Sequence, residues 1–372
     1  MAEKTPVKNT RKKKVSNKSR NILIALLAVL LVLIAIVVFI LTRTKPDPRS
    51  GQDPDFSNID FNEDDGLGAD ETIDPEAPTV DMEKANQLLD PIEDNELTKD
   101  EGWLHYLLLG VDGSNYKSGR SDALIVLSVN KEEQRVVLSS IPRDTFVYVE
   151  GKGFSKINGA YMAGGAELAV KTFEENFDID IENYFVVNFD SLPKIVDLAG
   201  GVTLTLTDAE AQHMGDQYAA WGLEGGTQKL NGKEVLAYCR VRKIDSDYKR
   251  NERQYKALLA IYDAVRKMSY DQYVGLAKIA FDEMYTDMMV GNMLVLLKDV
   301  MDICSVSEIE NIKLVDSDHS RAGMFGKYGS IVMMDNLIDT VVRWREALGI
   351  EDYTPSKRVE QISKHLDDTL GR

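Results

Sequence analysis

The stretch HYLLLGVDGSNYKSGRSDALIVLSVNKEEQRVVLSSIPRDTF, residues 105–146, holds the plan of the fold. Its apolar runs HYLLLGV (105–111), ALIVLSVN (123–130) and RVVLSSI (135–141) are each of strand length and rich in Leu, Val and Ile. Near-continuous apolar runs mark strands buried on both faces. The polar link NKEEQ between the second and third predicts a hairpin. The longer link between the first two has a carboxylate at each end. Asp112 leaves one strand and Asp122 enters the next across a glycine-containing loop.

Downstream, strands and helices interleave. GAELAVKTFEENF (165–177) has helical spacing, YFVVNF (184–189) reads as a strand, and SLPKIVDLAGG (191–201) is a helix ended by glycines. VTLTLT (202–207) alternates Thr with apolar residues, as a strand does. Leu258, Leu259, Ile261, Tyr262 and Val265 recur at helical spacing over 251–268. Two more apolar helical stretches follow near 271–283 and 288–303, then a strand NIKLV (311–315) and a closing helix NLIDTVVRWREALG (336–349). This order predicts a layered α/β domain that starts near Trp103.

Upstream, Ile22 to Leu41 reads ILIALLAVLLVLIAIVVFIL, without a polar residue, Gly or Pro. About 20 residues at a rise of about 1.5 Å span a hydrocarbon core of about 30 Å. Lys4, Lys8, Arg11, Lys12, Lys13, Lys14, Lys18 and Arg20 precede the run, and the chain turns acidic soon after it. The charge bias predicts a single transmembrane helix with a cytoplasmic N-terminus and an extracytoplasmic remainder. Residues 46 to about 100 are rich in Asp, Glu, Pro and Gly and poor in core formers, which predicts a disordered stalk with a short helix in MEKANQLL (82–89). The expected organisation is a basic tail (1–21), a membrane helix (22–41), a stalk (42–100), an extracytoplasmic folded domain (101–350) and a C-terminal tail (351–372).

The net charge of −17 opposes binding to nucleic acid, and the tail of about 20 residues shows no helix-turn-helix pattern. Cys239 and Cys304 are too few for a disulfide framework or a zinc site, and each sits in an apolar stretch, so two separate buried thiols are expected. His105, His213, His319 and His365 are scattered, and the common hydrolase motifs are missing.

Three clusters can carry chemistry. Asp112 and Asp122, at neighbouring strand ends, can converge on Mg²⁺, which takes one or two carboxylates plus substrate phosphate; two such acids also serve as solvated turn formers. Arg143 and Asp144 follow a buried strand at SSIPRDTF, where a local ion pair is the plainer reading. LAYCRVRKIDSDYKRNERQ gathers Arg240, Arg242, Asp247, Arg250, Arg253 and Gln254. An extended 239–242 puts Arg240 and Arg242 on one face. Arg250, Arg253 and Gln254, at i, i+3 and i+4, share one face of a helix start. Cations there oppose the helix dipole, so removing one should leave or improve stability, whereas an anion would be welcome. The alternative is a solvated charged face.

These residues resemble the LytR-CpsA-Psr family of bacterial envelope proteins. The matching stretches, in the family's order, are LLLGVD, GRSDALIVLSVN, LSSIPRDTFV, KINGAYMAGG, VNFDSLPKIVDLAGGV, LNGKEVLAYCRVR and DYKRNERQ, over roughly 104–259. The resemblance implies a layered α-β-α domain with a central mixed sheet and an apolar lipid channel. It implies transfer of an anionic glycopolymer, whether teichoic acid, capsular or another wall polysaccharide, from a polyprenyl pyrophosphate carrier to peptidoglycan through a phosphodiester. It implies Mg²⁺ at Asp112 and Asp122, and Arg120, Arg143, Arg240, Arg242, Arg250, Arg253 and Gln254 around the pyrophosphate. Arg143 and Arg242 would act in catalysis with Asp247 as general base. Gly113 stands where many members carry Arg, a contact that Lys117 could supply, and Cys239 replaces a small or branched apolar residue. A transcriptional attenuator and a pyrophosphatase acting on the same lipid are the other functions open to this pattern.

Overall fold

The computed structural model describes residues 79–372 apart from 93–96, 112–118, 189–190, 218–221, 242–243, 266, 270–271, 273–274, 276–283, 305 and 325–328. In chain order the elements are α1 (Met82–Ala85), β1 (Trp103–Val111), β2 (Ser121–Asn130), β3 (Arg135–Ser140), β4 (Phe146–Val149), β5 (Gly153–Lys156), α2 (Asn158–Phe177) and β6 (Ile181–Asn188). Then come α3 (Ser191–Leu198), β7 (Val202–Leu206), α4 (Asp208–Gln217), β8 (Gly226–Leu230), α5 (Gly232–Arg240) and α6 (Asp247–Val265). The chain closes with β9 (Met284–Thr286), α7 (Val290–Cys304), β10 (Glu310–Lys313), β11 (Ser320–Met324), β12 (Ser330–Met334), α8 (Leu337–Leu348) and α9 (Lys357–Leu370).

The central sheet is mixed and runs β10-β3-β2-β1-β6-β9. β1 and β2 are antiparallel, as are β2 and β3, while β1 and β6 are parallel, with α2 in the connection between them. The three apolar runs of 105–141 therefore occupy the middle of the sheet, where strands need apolar residues on both faces. Leu107, Leu109, Leu124, Val126, Tyr184 and Val186 point to one side and join the main core. There they meet Phe173 and Phe177 of α2, Val341 and Trp344 of α8, and Val359, Ile362 and Leu366 of α9. On the opposite face Tyr106 and Val136 pack with Leu296 and Ile303 of α7. A further cluster joins α3, α4, α5 and α6 to the β7–β8 pair. The α-β-α layering and the mixed sheet agree with expectation.

Both edges of the folded unit lie further out than expected. Val80 and Ala85, assigned to the stalk, are buried in the main core, and Asp81 caps α1 while its N–H donates to Thr369 O. Asp100, 6% exposed, accepts from Arg345, which is fully buried. The tail assigned to 351–372 contains α9, whose Val359, Ile362, Leu366 and Leu370 complete the core. This helix alternates apolar and charged residues so densely that its amphipathic stripe lies hidden in a polar composition. The membrane helix and residues 42–78 of the stalk lie outside the described residues. Among the described residues no helix is long and apolar enough to cross a membrane.

Residues 232–240 correct a second expectation. They form helix α5, not an extended segment, with Asn231 as N-cap in a capping box with Glu234 and Val241 as C-cap. Asn-x-x-Glu is the signal for such a start. Arg240 is thus the last residue of a helix and not part of a strand, while Arg242 lies outside the described residues. Cys239 is buried and Cys304 half-buried, and both thiols are free.

Candidate functional site

The site begins with two rungs of the sheet. Leu108 pairs with Ile125 on one side and Phe185 on the other, and Gly110 pairs with Ala123 and Val187. These residues face away from the main core, and Leu108, Ile125, Phe185 and Val187 stay half-exposed. Opposite them stand Leu192 and Ile195 of α3, Cys239 of α5, and Gln254, Ala257, Leu258 and Ile261 of α6. The α6 residues fall at i, i+3, i+4 and i+7, a single helical face. From Gln254 to Ile261 the helix rises about 10 Å. Sheet and helices enclose a cavity of about 260 Å³ lined by apolar side chains, with Gln254 as its polar member. Gly232 brings α5 close to α3: a Cβ there would meet Pro193 O at 2.2 Å. Burial pushes the Cys239 thiol up to about 12, so it behaves as an apolar lining group.

The polar end is built by a bulge. Gly110 pairs with Ala123 but Val111 pairs with Ser121, so Asp122 is the extra residue on β2. Bulges re-aim a side chain at a strand end. Asp122 Oδ1 accepts from Arg143 Nη1 at 2.7 Å, and its main-chain oxygen accepts from Gln254 Nε2 at 3.4 Å. Arg143 sits in a turn whose carbonyls are all used. Thr145 N donates to Pro142 O, Asn158 N to Arg143 O, and Val332 N to Asp144 O. The turn is thereby tied to α2 and β12, and Arg143 is 6% exposed.

Sequence reasoning placed Asp122, Arg143 and Gln254 in one site, and the structure brings these three together. Arg120 is half-buried just before β2, Arg240 is exposed at the end of α5, and Arg250 is buried in the first turns of α6. Asp112, Arg242 and the side chain of Asp247 lie outside the described residues.

Arg253 behaves differently from its neighbour Gln254. Its guanidinium donates to both oxygens of Asp245 at 2.6 Å, to Val241 O at 2.6 Å and to Glu210 Oε1 at 3.3 Å, and it is 2% exposed. It clamps the segment between α5 and α6 onto α4. Glu210 also closes a capping box with Thr207. The shared helix face expected for Arg250, Arg253 and Gln254 is therefore split: Gln254 lines the groove and Arg253 turns to α4. Neither Asp245 nor Glu210 was singled out from sequence, although Thr207-x-x-Glu210 carries the capping-box signal.

One further cluster has the connectivity of a hydrolase triad. His105 Nε2 lies 3.1 Å from Asp100 Oδ2 and Nδ1 lies 2.8 Å from Ser128 Oγ. Ser128 is fully buried, His105 is 2% exposed, and Arg345 also holds Asp100. With no access for a substrate, the cluster is a buried polar network that ties β1 and β2 to α8.

Fold and site together define a layered α/β domain with an apolar groove whose polar lining residue, Gln254, bonds to a carboxylate–arginine pair beside it. A model of the LytR_cpsA_psr family matches residues 72–332, and the chain belongs to that family. It is 33% identical over 259 residues to polyisoprenyl-teichoic acid–peptidoglycan teichoic acid transferase TagT of Bacillus subtilis (strain 168), covering 66% of this chain and 77% of that one. It is 37% identical over 185 residues to the TagU transferase of Oceanobacillus iheyensis, covering 48% of this chain and 56% of that one. The chain thus spans little more than half the length of TagU. The solved structure "TagT bound to LIIa-WTA" matches with a TM-score of 0.54 at 26% identity, over 73% of this chain and 92% of that one.

Proposed function

We propose that this chain transfers an anionic glycopolymer from a polyprenyl pyrophosphate carrier to a hydroxyl of peptidoglycan, forming a phosphodiester. One observation carries the reading: an apolar groove between the sheet and α6 is lined by Gln254, which bonds to the main chain of Asp122, itself paired with Arg143. A lipid pyrophosphate has the matching chemistry, an apolar tail with a polyanionic head. Each buried methylene of the tail contributes about 0.8 kcal/mol. The names of TagT and TagU, both teichoic acid transferases, support the same reaction class.

Phosphoryl transfer needs charge neutralisation and alignment more than covalent help. Arg120, Arg143, Arg240, Arg242 and Arg250 would hold pyrophosphate oxygens with Gln254, and Arg253 would brace the segment that carries Arg242. Asp247 would take the proton of the acceptor hydroxyl. Arg143 and Arg242 would stabilise charge on the departing polyprenyl phosphate.

Asp122 suits a divalent cation: Oδ1 is held by Arg143, and among the described residues no donor reaches Oδ2. Asp112 and Asp122 would hold Mg²⁺, which when bound would supply Lewis-acid neutralisation of phosphate charge. The apolar run 22–41 would anchor the chain in the cell membrane with its N-terminus in the cytoplasm and the domain outside, in reach of membrane lipid and peptidoglycan. The acidic net charge keeps nucleic acid off the list of partners.

The test is incubation of the protein with lipid-linked glycan, Mg²⁺ and peptidoglycan, followed by analysis of the linkage. A new phosphodiester to peptidoglycan supports the transferase. Free polymer identifies a pyrophosphatase. Unchanged transfer in excess chelator by Asp112→Asn and Asp122→Asn would remove the metal from the scheme.

A further inference from the structure

The turn that aims Arg143 has a second charged layer behind it. Asp144, the next residue of the turn, is 3% exposed, and Lys156, the last residue of β5, is 6% exposed. Lys156 Nζ lies 3.4 Å from Asp144 Oδ1, and Asp144 Oδ2 lies 3.7 Å from Arg143 Nε. Arg143 Nη1 then reaches Asp122 Oδ1 at 2.7 Å. The four charges alternate in sign in successive pairs from Lys156 of the β4–β5 hairpin to Asp122 of β2.

The hairpin has apolar packing of its own beside this lysine. Lys156 pairs with Phe146, and the hairpin's other side chains Val147, Tyr148, Val149 and Phe154 belong to the main core. A buried ion pair is weak grounds for stability, and apolar residues of similar volume often serve better. What the pair does supply is direction. A guanidinium presents a flat fork of five N–H donors. At 3.7 Å Asp144 Oδ2 is beyond hydrogen-bond reach of Nε, so its hold on the guanidinium is electrostatic, favouring the orientation that leaves the Nη edge facing Asp122.

We propose that Asp144, clamped by Lys156, is a positioning residue for Arg143, holding its guanidinium ready for the phosphate before substrate arrives. The inference rests on the reading of the groove end as a pyrophosphate site. Two consequences separate it from a merely structural role. The effect of Asp144 must pass through Arg143, and it must bear on the phosphate head and not on the lipid tail.

The experiment uses the full chain in detergent, with a polyprenyl pyrophosphate and the matching polyprenol as probes. Asp144→Asn, Lys156→Met, Lys156→Arg, Arg143→Gln and the double variant Arg143→Gln with Asp144→Asn are compared. Asp144→Asn and Lys156→Met should each weaken pyrophosphate binding by about tenfold, equivalent to about 1.4 kcal/mol. Polyprenol binding should be unchanged, and Lys156→Arg should recover most of the loss. In the Arg143→Gln background Asp144→Asn should have no further effect, which a double-mutant cycle measures directly. Pyrophosphate binding within about twofold of wild type in both single variants would overturn the inference, twofold being about 0.4 kcal/mol. So would additive losses in the double variant, or equal losses for both probes. A wild-type chain that binds the pyrophosphate no better than the polyprenol would overturn the reading of the site and this inference with it. Should Asp144→Asn fail to fold, Lys156→Met and its rescue by Lys156→Arg carry the same test.

Discussion

Gln254 on α6 donates its side-chain N–H to the main-chain oxygen of Asp122 on β2, 132 residues earlier in the chain. The contact joins the helix that lines the groove to the bulge that ends it. At 3.4 Å and half-buried it is a modest bond, worth about 0.5–1.5 kcal/mol. Gln254→Ala should lower Tm only slightly. It should weaken binding of a polyprenyl pyrophosphate measurably, because the groove and the charged end lose their shared register. Calorimetry on the same samples gives both quantities.

Leu258 tests the groove itself. It faces the cavity beside Ala257 and Ile261. Leu258→Trp fills space that a polyprenyl tail would occupy, without deleting any contact of the main core. Binding of a polyprenol should fall by about tenfold or more, with little change in Tm. Unaltered polyprenol binding would place the tail elsewhere.

Arg253 reverses an expectation drawn from its position near a helix start. On sequence alone its removal relieves repulsion and leaves or improves stability. In the fold it answers Asp245 and Glu210, both largely buried with it. Arg253→Ala strands two carboxylates and should cost about 3–5 kcal/mol. Chemical denaturation of the variant, alone and combined with Asp245→Asn, measures this. The double variant should recover part of the loss.

Glu174 gives the fold a pH slope. Burial raises its carboxyl to about 7, assisted by the nearby Asp180 and Glu175, against a backbone hydrogen bond from Ile181 and the charge of Lys171. Between its unfolded value of 4.5 and about 7 the folded state keeps a proton that the unfolded state has lost. Stability from this group is therefore full below the unfolded value and declines as pH rises through the folded one. Glu174→Gln should flatten the fall of Tm across that window and raise Tm at pH 8. A parallel fall in wild type and variant would assign the slope to other groups.

Much of this was legible in the residues. The strands of 105–141 announce themselves by composition, and the turn at Pro142 follows from its ring. α2 showed only its second part, because Gly164 and Gly165 break the helical path between the two. Three things were not legible. The bulge at Asp122 is a matter of register, which a strand pattern does not reveal. The groove depends on the stand-off of α6 from the sheet, and Leu108, Ile125 and Phe185 look like ordinary core residues in the sequence. The partners of Arg253 come from Asp245 and from Glu210 on α4, and charge spacing within one helix cannot find them.

The placement of α9 has a consequence for how the molecule comes into being. Its Val359, Ile362, Leu366 and Leu370 close a core that also holds Val80 and Ala85, so two segments far apart in the chain share one interior. Asp81 N–H and the ammonium of Lys84 donate to the main chain at Thr369 and Asp368. A nascent chain can pair β1, β2 and β3 as they emerge, but it holds an unsealed apolar face until α9 is made. Pairings of such long sequence separation are slow to form. Maturation thus waits on the synthesis of α9, and a polypeptide halted before residue 357 would present that face to chaperones and proteases.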